Sequence, residues 1–518
     1  QAEDGIRDVE RSRGLGDVYK RQVIMRILLI NPKYPVTFWS YKYALRFISK
    51  KASFPPLGLL TVSSLLPEDW EKKLVDMNVN PLTDKNILWA DYVFIGGMAI
   101  QKSSAIKVIE KCKKFGKRIV AGGPLFTMEY EDFDEMVDYF VLDEGEATIP
   151  LFLKDLESSK IKHIYRAKKF PDIEKSPVPD WKLVNLKKYA SMNIQYSRGC
   201  PYNCDFCNVT LLNGHRPRTK NKQQILNELN RLYSLGWKGP IFFVDDNFIG
   251  NKKKLKNEIL PAIIEWRNRK KFNFSFTTEV SINIADDDEL LRLMAEAGFD
   301  NVFVGIETPN EESLVECSKF QNKGRDLTKS VKKIQKFGMQ VLGGFIVGFD
   351  NDPPSIFERQ INFIQKSGIV TAMVGLLNAP KGTKLYKRLK KENRITGNIS
   401  GDNTDCSINF IPKMNYEVLL NGYKKILKTI YSPINYYERI KIFLREYKPL
   451  DRKISKPNFS EIMAFLKSIW FLGIKGKERF HFWKLLFWTI LKKPRLFKTS
   501  ITLAIYGFHF RKIYESYV

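Results

Sequence analysis

Tyr196-Ser197-Arg198-Gly199-Cys200-Pro201-Tyr202-Asn203-Cys204-Asp205-Phe206-Cys207 is the stretch from which the rest of the chain is read. Three cysteines stand at C-x3-C-x2-C spacing, directly after an apolar run that begins near Asn193. Three thiolates on so tight a loop suit three irons of a cubane [4Fe–4S] cluster. Full ligation takes four, so one iron stays open to a small chelating ligand. A structural zinc is the alternative. It asks for a fourth Cys or His, and His215 stands eight residues beyond Cys207. Cys112, Cys317 and Cys406 are isolated and read as small buried residues.

Around this loop, residues 191–380 alternate strand and helix six times. The strands begin near Asn193, Ile241, Asn273, Asn301, Val341 and Thr371. The stretches 287–297 and 326–337 carry apolar residues at i, i+3, i+4 spacing, as amphipathic helices do. Six parallel strands with outer helices predict a partial (β/α)6 barrel. Such barrels carry their active site at the C-terminal strand ends, where the cysteines lie.

The flanks differ. Residues 25–150 read as an α/β, doubly wound parallel sheet, with strands at Arg26–Asn31, 73–77, 91–96, 118–121 and 139–142. Gly96-Gly97 and Gly122-Gly123-Pro124 follow two of these strands. Glycines there serve either a ligand's close approach or plain turns. Residues 151–190 read as a linker, and 1–24 as a polar, non-native leader with Met25 as the native start. Residues 381–518 form a basic, aromatic-rich, mainly helical domain.

Composition sets the outer bounds. The 518 residues carry 85 Lys+Arg against 57 Asp+Glu, a net +28, with 44% apolar residues. Cores can form, so wholesale disorder is excluded. Six cysteines exclude a disulfide scaffold and point to a reducing compartment. Residues 411–518 hold 22 Lys+Arg and 7 Asp+Glu, more than half of the net charge. Such a segment suits an amphipathic, membrane-facing surface, packed helices with a solvated basic face, or nucleic acid, in that order.

The cysteine loop at the end of the first barrel strand resembles that of the radical S-adenosylmethionine (SAM) superfamily. Asp245-Asp246-Asn247-Phe248, Thr278-Glu279-Val280, Gly305-Ile306-Glu307-Thr308 and Gly343-Gly344-Phe345-Ile346-Val347-Gly348 continue the likeness along the later strands. Residues 25–150, with Pro55-Pro56-Leu57-Gly58-Leu59 and Asp143-Glu144-Gly145-Glu146, resemble the cobalamin-binding domain of the B12-dependent branch. The segment from Asn378 resembles the domain that follows the barrel in hopanoid and bacteriochlorophyll methylases.

The resemblance implies that Cys200, Cys204 and Cys207 ligate the cluster and that SAM binds its open iron. Phe206 would pack near the adenine. Asp246 or Asp245 would face the SAM amino group, and Glu279 and Glu307 its hydroxyls or amine. Gly97, Gly122 and Gly123 would touch cobalamin. It further implies a cytoplasmic or membrane-peripheral enzyme with an electron donor such as flavodoxin or ferredoxin. The expected reaction is methylation of an unactivated carbon in a hydrophobic small molecule, a lipid or tetrapyrrole. The alternatives are a radical SAM oxidoreductase or rearrangement enzyme without methyl transfer, and a nucleic-acid-binding protein with structural zinc. One departure stands out: residues 25–150 contain no His, so no imidazole there can be a lower cobalt ligand. A domain that only packs on the barrel or binds substrate is the other reading.

Overall fold

β1 (Arg26–Asn31) shows why a parallel sheet forms at the start of the chain. Its four consecutive apolar residues leave no polar face. Ile27 and Leu29 enter the core on one side of the sheet, Leu28 and Ile30 the core on the other. This is the pattern of a strand covered by helices on both faces. The structure is a computed structural model that describes residues 25–270, 274–402, 404–449 and 459–517. In it β1 lies between β2 (Glu71–Asp76) and β3 (Tyr92–Gly96), followed by β4 (Arg118–Gly122), β5 (Tyr139–Val141) and β6 (Ile164–Tyr165). The order β2-β1-β3-β4-β5-β6 is parallel throughout. It reverses between β1 and β3, so the ligand crevice of such a sheet lies at their C-terminal ends. Helices Leu57–Leu65 and Gly145–Glu157 cover one face, Lys102–Lys114 the other.

The expected linker over 151–190 is more than a linker. It carries β6, which pairs with β5, and it buries Trp181 and Tyr189 in the core of the second domain. A two-residue strand has no readable period, so only its partner reveals it.

β7 (Met192–Ile194) leads through the small antiparallel pair β8 (Ser197–Arg198) and β9 (Arg218–Thr219) into β10 (Ile241–Phe243), β11 (Phe276–Val280), β12 (Phe299–Glu307), β13 (Gln340–Val347) and β14 (Ala372–Leu376). β7, β10, β11, β12, β13 and β14 are parallel and lie in chain order. Among the described residues no pairing joins β14 to β7, so the barrel is open on that side. The expected strand start at Asn273 and the leader 1–24 lie outside the described residues.

The C-terminal domain is helical and packs on the barrel. Helix Tyr416–Ile430 covers β14 and helix Ile356–Ser367. Just after it, the Tyr431 hydroxyl donates to the Ala372 carbonyl at 2.5 Å. The buried Arg439 donates through its terminal nitrogens to the carbonyls of Ile430 (2.8 Å) and Val370 (3.2 Å). Helix Phe497–Tyr517 returns to the N-terminal domain, where Phe510 meets Phe38 and His509 Nε2 donates to the Phe38 carbonyl (3.0 Å). Much of the basic segment is therefore a clasp between domains.

Candidate active site

The cysteine loop is held by the carboxylates that follow β10. Asp245 accepts from the Tyr196 N–H (3.2 Å), the Ser197 hydroxyl (2.6 Å) and the Ser197 N–H. Asp246 accepts from the Gly199 N–H (2.8 Å) and Asn213 Nδ2 (2.9 Å) through Oδ2. Burial pushes the Asp245 carboxyl up to about 7 despite these hydrogen bonds, and it raises Asp246 as well. Of the two aspartates, Asp245 is spent on the loop backbone, whereas Asp246 keeps Oδ1 without a hydrogen bond among the described residues. Gly199 has φ +95°, and a Cβ there would come within 2.9 Å of the carbonyls of Asn213, Gly214 and Arg216. Only glycine makes this turn without strain.

Cys200, Cys204 and Cys207 are free, half-buried thiols. Burial raises all three, Cys207 to about 12, so ionising them calls for a cationic partner. The donor set fits an iron–sulfur cluster. Gln321 Nε2 donates to Cys204 Sγ at 3.8 Å, and its Oε1 is buried with no hydrogen bond. Hydrogen bonds to cluster sulfurs are one means by which proteins tune such centres. A single zinc fits less well: His215 is exposed. Among the described residues no three His, Cys, Asp or Glu side chains gather as ligands of one ion. Phe206 lies against Phe349 (6.2 Å between centroids) in a small cavity bordered by Cys317, Leu377 and Leu385.

Two expected carboxylates prove unlike. Glu279, on β11, has no hydrogen-bond partner among the described residues. Burial, with Asp246 and Asp245 nearby, pushes it up to about 8. Glu307 is instead paired with Lys319 Nζ at 2.7 Å. It has a left-handed backbone (φ +64°), where β12 and β13 slip register. Non-glycine residues pay for that conformation, and strain of this kind gathers at functional sites. A Cβ on Gly305 would stand 2.3 Å from the Glu307 carboxylate and 2.9 Å from Lys319 Nζ, so glycine makes room for the pair. Burial works against the Lys319 charge, yet Glu307 and Cys204 hold its pKa above the ordinary value. Lys319 is a site residue that no period or spacing in the sequence discloses.

In the first domain, Gly97, Gly122 and Gly123 lie at the C-terminal ends of β3 and β4, the crevice edge. A Cβ on Gly122 would meet the Val141 carbonyl at 2.6 Å, so strand packing already requires that glycine. Gly123 has φ +86° and packs over the Gly97 backbone. This edge is turned toward the cysteine loop. Arg198, two residues before Cys200, reaches across to Glu144 (2.5 Å) and Glu146 (2.7 Å), and Arg218 joins Glu144 at 2.5 Å. Burial disfavours the Glu146 charge, but Arg198 holds its carboxyl down at about 2. The acidic run Asp143–Glu146 was visible in the sequence. Its basic partners, 52 to 74 residues away, were not.

Residues 194–364 match the radical SAM superfamily, and 383–518 match a family described as a domain of unknown function (DUF4070). An uncharacterized methyltransferase of Synechocystis sp. is 41% identical over 95% of this chain and 92% of its own length. The hopanoid C-2 methylase of Rhodopseudomonas palustris is 33% identical over 89% of each chain. The radical S-adenosylmethionine methyltransferase TsrM from Kitasatospora setae was solved with cobalamin and a [4Fe–4S] cluster bound. It superposes with a TM-score of 0.61 and 15% identity, covering 95% of this chain and 99% of that one, a likeness of fold. The loop geometry and these near-full-length similarities together mean that the chain belongs to the radical SAM methyltransferase family.

Proposed function

We propose that this chain is a cobalamin-dependent radical SAM C-methyltransferase whose substrate is a polycyclic lipid. One observation carries the reading: the ligand-binding edge of the first domain is turned onto the cysteine loop and clamped there by Arg198 and Arg218. In the proposal Cys200, Cys204 and Cys207 hold the cluster, and the SAM pocket is formed by Phe206, Asp246 Oδ1 and Glu279. When bound, the cluster supplies the electron that cleaves SAM, and cobalamin supplies the methyl group.

The chain's own part is to orient and to exclude water. Glu279, without a hydrogen-bond partner among the described residues and protonated near neutral pH, can donate to a ribose hydroxyl oxygen. Glu307 keeps Lys319 charged beside the cysteines. Glycines of β13 give space, since a Cβ on Gly344 would strike the Phe303 ring at 2.7 Å. The apolar substrate class is supported by aromatic pairs from two domains, Trp39 against Phe303 (5.0 Å) and Phe54 against Phe242 (5.3 Å). It is supported too by the similarity to a hopanoid methylase. A small reduced flavodoxin or ferredoxin would deliver the electron.

The test is anaerobic purification with iron, sulfide and cobalamin quantified together. Incubation with methyl-labelled SAM and a hopanoid follows. Retained cobalamin and labelled hopanoid are expected. 5′-Deoxyadenosine without methylated product would overturn the methyltransferase reading, and absence of iron would overturn the radical SAM chemistry.

A further inference from the structure

Surface helices are ordinarily polar on the side away from the core. Helix Arg479–Lys492 is not. Phe482, Leu485, Leu486 and Thr489 are buried on its inner side. On its outer side Phe480 is 74% exposed, Phe487 61% and Leu491 78%. Phe480, Lys484, Phe487 and Leu491 recur at helical spacing and form one stripe. Cations bracket it: Lys475, Lys477 and Arg479 before, Lys492, Lys493 and Arg495 after. Residues 459–498 contain nine Lys or Arg and two acids. Both acids are committed, Glu478 to Arg511 in the interior and Glu461 to Lys498.

We infer that this face docks on an anionic lipid leaflet. The Phe480–Phe487–Leu491 stripe would enter the headgroup and acyl boundary, with the flanking lysines at phosphate level. Phenylalanine and leucine lose water at that depth, while long basic side chains keep their charge in the interface. The charge of the patch selects the partner. A second copy would press one net-positive face against another, and nucleic acid offers no cover for Leu491 or the exposed Ile490. Among the described residues no helix is long and apolar enough to cross a membrane, so the contact is peripheral. The inference goes beyond methyl transfer and does not depend on it.

The full chain, purified anaerobically, is sedimented with phosphatidylcholine vesicles and with vesicles that also contain phosphatidylglycerol. Binding that rises severalfold with phosphatidylglycerol and falls at high salt is expected. Phe480→Glu with Phe487→Glu should lower partitioning at least about tenfold. Lys477→Gln, Lys484→Gln and Lys492→Gln together should remove the phosphatidylglycerol-dependent part, with thermal melting unchanged in both variants. Failure to sediment, equal binding by the phenylalanine variant, displacement by RNA, or a dimer that this variant dissolves would each overturn it. SAM cleavage measured on the same samples without vesicles keeps a catalytic failure distinct from a docking failure.

Discussion

Two residues show how local chemistry is forced by neighbours. Cys204 receives the Gln321 amide and lies by Lys319. Cys204→Ala is expected to lose bound iron, cluster absorbance and SAM cleavage while the fold persists, since a half-buried small residue is replaced by a smaller one. Metal analysis and circular dichroism check this. Lys319 and Glu307 behave oppositely. Removing one partner strands a buried charge, so Lys319→Met should destabilise by about 3–5 kcal/mol. Adding Glu307→Gln should restore much of that loss, and urea melts of the single and double variants measure it. The cysteines were legible in sequence because ligand spacing is local. Lys319 was not, because its partner Glu307 lies twelve residues away, at a register slip.

At the scale of elements, the run Asp143–Glu146 carries the chain from β5 into the first turn of helix Gly145–Glu157. Asp143 has φ +62°, and the turn it makes sets Glu144 and Glu146 toward Arg198 and Arg218. Glu146 is held at about 2, below its ordinary value of 4.5. A depressed carboxylate pKa gives stability above the unfolded value and withdraws it as pH falls through the folded one. The stability difference between the wild type and Glu146→Gln should therefore be full above about pH 4.5 and shrink toward pH 2. Denaturation midpoints across that range test the sign. Strands β1 to β5, β7 and β10 to β14 were readable from their apolar runs. β6, β8 and β9, at two residues each, were readable only from their partners.

For the whole molecule, three domains meet around one loop. The N-terminal sheet edge approaches through Glu144 and Glu146, and also through Glu131 with Lys381 (2.6 Å). The C-terminal helices hold the first domain through His509 and Phe38. Glu144→Gln with Glu146→Gln should loosen the first domain from the barrel. Retained cobalamin should fall several-fold while iron content stays unchanged. Loss of both cofactors together would instead mean that the clamp supports the cysteine loop itself. The net +28 divides in the same way. Part of it is spent on clamps, as Arg198, Arg218 and Arg439 show, and part is displayed around an apolar stripe.

The sequence by itself determined the α/β class, the six-strand barrel and the cysteine triad, because periodicity and ligand spacing are properties of neighbours along the chain. Only the tertiary structure decided which carboxylates are free. Asp245 and Glu307 are consumed by hydrogen bonds and an ion pair, while Glu279 has no hydrogen-bond partner among the described residues. It likewise decided that the first domain's crevice faces the cysteines, and that one basic helix turns phenylalanines outward. Those outcomes depend on which distant groups are brought within hydrogen-bond or van der Waals reach, and no local pattern encodes that.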